Sequence, residues 1–98
     1  MSAPSIMTVM KAASLYYGLS DIRQPSQKRA VARPRQVAMY VARQMTGRSY
    51  PMIGRMFHRD HATVHFGICK VEALRKHDAR IAADIQAISA IVASGVVQ

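Results

Sequence analysis

The stretch Tyr50-Pro51-Met52-Ile53-Gly54-Arg55-Met56-Phe57-His58-Arg59-Asp60-His61-Ala62-Thr63-Val64 decides how this chain is read. Ser49, just before it, can cap a short helix in which Ile53, Met56 and Phe57 point inward. His58-Arg59 leaves room only for a tight turn. A second helix then starts at Asp60 and buries Val64, Ile68, Val71 and Leu74. Two short helices joined by a brief turn, the second opening on polar side chains, form a helix-turn-helix unit. In such a unit the second helix lies in the DNA major groove with its N-terminal residues on base edges, and the first crosses the backbone.

Working outward, Ile6, Val9, Met10, Ala13 and Tyr17 fall at helical spacing, with Ser5 as cap and Gly18 as stop. A further helical turn is expected after Ser20, ending near Arg23. Gln24-Pro25-Ser26-Gln27-Lys28-Arg29 is polar, basic and broken by proline, so it reads as a loop. Pro34 suits the first turn of the next helix, which runs to about Met45 with Val37, Val41 and Met45 inward. Thr46-Gly47-Arg48 breaks that helix, and Lys76-His77-Asp78 ends the one begun at Asp60. Asp78 can cap a last helix burying Ile81, Ile85, Ile88 and Val92. No segment alternates with period two. The expected fold is all-α, a single small domain over residues 1–98 with five to six helices and a frayed end at 94–98.

The net charge of +9 is unevenly placed. From Ile22 to Arg59 there are nine basic residues and no acid; from Asp60 onward four basic residues face four acids. A polyanion is therefore expected to dock on the central segment. A membrane-surface patch fits less well, because these cations sit among helix starts rather than along one amphipathic helix. No apolar run reaches the roughly 18 to 20 residues that cross a bilayer. Cys69 is the single cysteine and adjoins Ile68, so it reads as a buried thiol in a reducing, cytoplasmic setting. Met7, Met10, Met39, Met45, Met52 and Met56 read as core filler, and Tyr16 and Tyr17 as packing for the first helix.

Chemistry is sparse. His58, His61 and His65 raise the question of a metal site, but the His61 and His65 pair lacks the glutamate of a zinc-protease motif and no further ligand completes the set. Five acids, one cysteine and no paired carboxylates leave little for acid–base or nucleophilic work, so no enzyme, metal or cofactor is expected. Asp60 has two compatible readings, helix cap and base contact; Thr63 either bonds within its own helix or reaches a base.

Three segments carry a family resemblance: Arg33-Pro34-Arg35-Gln36, Tyr50-Pro51-Met52-Ile53-Gly54, and Phe57-His58-Arg59-Asp60-His61-Ala62-Thr63-Val64. At closely matching spacing they resemble Arg-Pro-Arg-Gln, Leu-Pro-Glu-Ile-Gly and Phe-Gly-Gly-Arg-Asp-His-Thr-Thr-Val of the C-terminal DNA-binding domain of the bacterial replication initiator DnaA. The resemblance covers residues 14 to about 88 and implies a helical domain that recognises an A/T-rich nonamer, the DnaA box. It implies base contacts from Asp60, His61 and Thr63, with Ala62 where the family has a threonine; a methyl there can still pack on thymine. Backbone contacts are implied for Arg35, Gln36, Arg43, Tyr50 and Pro51, with Arg59 beside them. The basic loop 24–33 is implied to enter the minor groove, with Lys28 and Arg29 as its candidates, since Gln27 aligns with the family's key arginine. The turn is one residue shorter than the family's, and His65-Phe66 replaces a leucine-histidine pair.

No Gly-rich phosphate loop occurs, so no nucleotide is expected. With its Met1-Ser2-Ala3-Pro4 opening taken as a true start, the chain reads as a stand-alone module; a piece of a longer initiator is the alternative. The leading expectation is sequence-specific duplex binding at DnaA-box-like sites, nucleoid-associated and regulating replication initiation or transcription. Two alternatives stay open: an adaptor that binds the initiator or itself through the isoleucine-rich last helix, and a basic protein that binds any duplex by charge.

Overall fold

Most helix starts in this chain are fixed by one small polar side chain each. The computed structural model describes residues 4–23 and 29–97, with backbone alone at Arg29 and Val31; among the described residues there are five helices and no strand. α1 (Ile6–Tyr17) begins where Ser5 Oγ accepts the Thr8 N–H at 3.1 Å and ends at Gly18, whose φ of 69° suits a residue without Cβ. α2 spans Arg29–Thr46 and stops at Gly47, also at positive φ. α3 (Tyr50–Phe57) is capped by Ser49, α4 (His61–Leu74) by Asp60, and α5 (Ala79–Ser94) by Asp78, which accepts the N–H groups of Arg80 and Ile81.

The start of α2 corrects the sequence reading. Pro34 lies inside the helix, which begins five residues before it, so residues 29–33 are helical and the expected loop 24–33 is not a loop over that part. Arg29, Ala30, Ala32 and Arg33 are good helix formers. Pro34 forfeits the one bond its N–H would have made to Ala30, and it is itself buried in the domain. Lys28 and the rest of the expected loop, 24–28, lie outside the described residues. The turn of helix expected after Ser20 is absent as well: Asp21 Oδ1 accepts the Arg23 N–H at 2.8 Å, folding that segment as a side-chain-closed turn.

α2 is the central element and packs against the other four helices. Its residues Val37, Ala38, Met39, Tyr40, Val41 and Ala42 are all buried, which marks a helix enclosed on every side. Around it gather Val9 and Met10 of α1, Ile53 and Phe57 of α3, Val64, Ile68 and Val71 of α4, and Ile81, Ile88 and Val92 of α5. Ile22, in the turn after α1, is buried too, although nothing in its local spacing announced it. The apolar face of α5, expected as a possible partner surface, is spent on the core: Val92 is buried and Ile85 half-buried.

Several side chains sit elsewhere than expected. Cys69 is exposed, because it follows Ile68 by the roughly 100° that each helical residue turns and so leaves the buried stripe. Met10 and Met39 are buried, Met45 and Met56 partly so, but Met7 and Met52 are exposed. Tyr16 and Tyr17 do more than pack α1. Their hydroxyls donate to Asp84 of α5 at 2.6 and 2.9 Å, and Asp84 is only 3% exposed. A second tie joins α2 to α4, where the Tyr40 hydroxyl donates to Glu72, itself paired with Arg75 at 2.9 Å. The Arg75 and Tyr40 hydrogen bonds hold the Glu72 carboxyl well below the usual carboxylate range, at about 2. Among the described residues, no helix is long and apolar enough to cross a membrane.

Candidate nucleic-acid interface

The surface is built around the turn between α3 and α4. His58 closes α3 in the left-handed region at φ 58°, the one non-glycine at positive φ among the described residues. The Arg59 N–H then donates back to the Gly54 carbonyl at 2.8 Å. The chain folds so closely here that a Cβ on Gly54 would strike the Arg59 carbonyl oxygen and touch Val64 at 3.4 Å. We expect Gly54→Ala to cost about 2 to 4 kcal/mol, because the obstacle is backbone and cannot rotate away. Denaturant unfolding measures it; an unchanged midpoint would show that the turn tolerates a wider helix crossing.

Asp60 is extended, and its Oδ1 accepts the Thr63 N–H at 2.7 Å. That backbone bond, then the Thr63 hydroxyl, hold its carboxyl below the usual range, so it stays ionised at neutral pH. The cap leaves His61, Ala62 and Thr63 on the exposed first turn of α4, as sequence reasoning placed them. Asp60 therefore has a cap role in hand, and its exposed carboxylate adds an acceptor at the same helix end.

Arg59, expected on a phosphate, also braces the turn. Its guanidinium donates to the carbonyls of Phe57 at 3.2 Å, His58 at 3.0 Å and Arg23 at 3.5 Å, tying the turn to the segment after α1. Arg35 is 6% exposed; burial, and after it the neighbouring Arg59 charge, push its pKa down. The Arg35 and Arg59 guanidinium groups are near enough for their charges to repel, and Arg59 stands in the turn just before α4. Gln36, half-buried, accepts from the Arg33 guanidinium at 2.9 Å and packs where α2 meets Gly67 of α4.

The remaining expected backbone groups gather on α3 and the end of α2. The Arg43 guanidinium lies 4.6 Å from the centre of the Tyr50 ring and donates to the Arg48 carbonyl at 2.6 Å. Tyr50 also stacks on His65 of α4, with centroids 4.8 Å apart and planes 22° from parallel. Cation, phenol and imidazole fix one another across three helices. Sequence reasoning had Arg43 and Tyr50 as separate contacts and did not see the stack, since its members come from distant parts of the chain. Pro51 is exposed on the first turn of α3. Arg29 is the first residue of α2, and nothing further is described of its side chain. Arg59 thus stands in the turn before α4, Arg43 and Tyr50 gather against His65, and Gln36 packs at Gly67 near the middle of the helix.

Residues 6–71 match the model of a family described as the bacterial dnaA protein helix-turn-helix. The chromosomal replication initiator protein DnaA of Sphingopyxis alaskensis is 49% identical over 87 residues, covering 86% of this chain and 19% of that protein. The protein of the same name from Caulobacter vibrioides is 42% identical over 88 residues, covering 87% of this chain and 18% of its own length. That from Cereibacter sphaeroides is 52% identical over 69 residues, covering 69% of this chain and 15% of the relative. The chain therefore spans under a fifth of the length of the curated relatives it matches.

Proposed function

Since the chain belongs to the bacterial DnaA helix-turn-helix family, we propose that it binds duplex DNA in a sequence-specific way at DnaA-box-like nonamers. One observation carries this reading. α4 opens on an exposed turn of Asp60, His61, Ala62 and Thr63, held out by a firm cap and flanked by the acid-free cationic segment. Docked in the major groove, that turn meets base edges, where an imidazole, a hydroxyl and a methyl distinguish base pairs by donor, acceptor and thymine-methyl pattern. Arg35, Gln36, Arg43, Tyr50, Pro51 and Arg59 lie along the phosphate strands, some through their own groups and Arg59 largely by shaping the turn. Lys28 and Arg29 are the candidates for the neighbouring minor groove. The relatives are chromosomal replication initiators by name, so control of replication initiation, or of promoters carrying the same sites, is the setting we propose.

Replacing His61 with Ala tests base reading. The expected loss is ~1 to 3 kcal/mol on the preferred site, with relaxed base choice at one position and little change on random DNA. Equal weakening on both duplexes, in a direct binding titration, would remove His61 from the reading surface.

A further inference from the structure

The buried stripe of α4 consists of Val64, Gly67, Ile68 and Val71. At about 100° per residue, the opposite side carries Ala62, Phe66, Cys69 and Ala73, and all four are exposed. Phe66 is 60% exposed, an aromatic ring on the outer face of the helix that would enter the groove. It follows Ala62 by four residues, so the two lie on one face about 6 Å apart along the helix axis.

We propose that Phe66, together with Ala62, reads thymine through its 5-methyl group and so sets specificity at a second position of the site. The proposal rests on the duplex-binding reading above. Thymine is the base that projects an apolar group into the major groove, and both alanine and phenylalanine are suited to meet it. Base pairs rise about 3.4 Å each, so side chains about 6 Å apart meet methyls about two base steps apart. The surroundings favour this occupant over the apolar face of another protein. Exposed His61, His65 and Lys70 border the strip on α4, in a chain of net charge +9. Nitrogen-bearing side chains around a small apolar centre match a groove with phosphates at its edges and methyls in its floor.

The test removes methyl groups and nothing else. In a duplex carrying the best selected site, each thymine is replaced in turn by deoxyuridine, and binding by the wild-type chain and by Phe66→Ala is titrated at one salt concentration. Wild type should lose about fourfold at each of two thymines about two steps apart, the effect of withdrawing one methyl from burial. Phe66→Ala should lose that sensitivity at one of them and keep it at the other. Because Phe66 is exposed, the variant should fold, which its helical circular dichroism and melting temperature check. A Phe66→Leu variant, still apolar, should retain part of the discrimination. Tight, selective binding that ignores deoxyuridine everywhere would overturn the methyl reading and leave duplex binding standing. So would a Phe66→Ala loss that is equal on all sequences, since the ring would then be packing on sugar and phosphate. Failure of the wild type to prefer any duplex would overturn both.

Discussion

Arg35→Met lowers affinity for every duplex by about tenfold or more, on random and preferred sites alike. Arg35 is nearly enclosed on the second turn of α2, where burial and the Arg59 charge both press its pKa downward. In the proposed complex a phosphate meets this charge, and a guanidinium already held by its neighbours loses little freedom there. With about six to eight phosphate contacts, wild-type affinity should fall roughly 10³- to 10⁴-fold between about 50 and 200 mM salt. The Arg35→Met slope of log affinity against log salt should be shallower by about 1. An unchanged slope, or a loss confined to the preferred site, would show that Arg35 meets no phosphate.

Asp84→Ala should be the most damaging change away from the proposed DNA-binding face. Its carboxylate accepts two tyrosine hydroxyls across the α1–α5 contact, with Arg80 at 3.4 Å as a distant partner. Bonds to a charged group are worth about 1.5 to 3 kcal/mol each, and Tyr16 recovers part of its loss from water because it is exposed. The net cost is about 3 kcal/mol, which in a domain of this size lowers the melting temperature by about 12 to 20 °C. Most of the loss should disappear in a Tyr17→Phe background, where no half-buried hydroxyl is left wanting an acceptor. The pKa of Tyr17 is raised, by burial first and by Asp84 second. A group raised in the folded state stabilises below its ordinary value, so the wild-type advantage holds up to pH 10.0 and is lost as pH climbs above it. Affinity per folded molecule should not change. A melting temperature within about 3 °C of wild type would show that α1 and α5 hold together without this cluster.

The helix starts were legible in the sequence because Ser5, Ser49, Asp60 and Asp78 are residues that serve as caps, each followed by helically spaced apolar residues. The start of α2 was not, since the residue chosen as its marker, Pro34, has a second use: deep packing one turn inside a helix. Cys69 was misplaced by adjacency to Ile68, where periodicity would have set it on the outer face. That same outer face holds Phe66, whose exposure the spacing of Val64, Ile68 and Val71 already contained. Asp84 left a usable signal, for it lies on the apolar stripe between Ile81 and Ile88, where a carboxylate needs partners from elsewhere. Which partners it found, 67 and 68 residues away, required the fold. The exposed first turn of α4 was legible outright, whereas the stack of Arg43, Tyr50 and His65 depends on how three helices meet.

Selection of bound sites from a random duplex library, with affinity for the winners and for random DNA followed across a salt series, tests sequence-specific recognition most directly. An A/T-rich nonamer resembling the DnaA box, still preferred over random DNA near physiological salt, is the result expected of base reading by the first turn of α4. Recovery of no common motif, with all affinities equal and collapsing together as salt rises, would contradict it and leave only a charged surface.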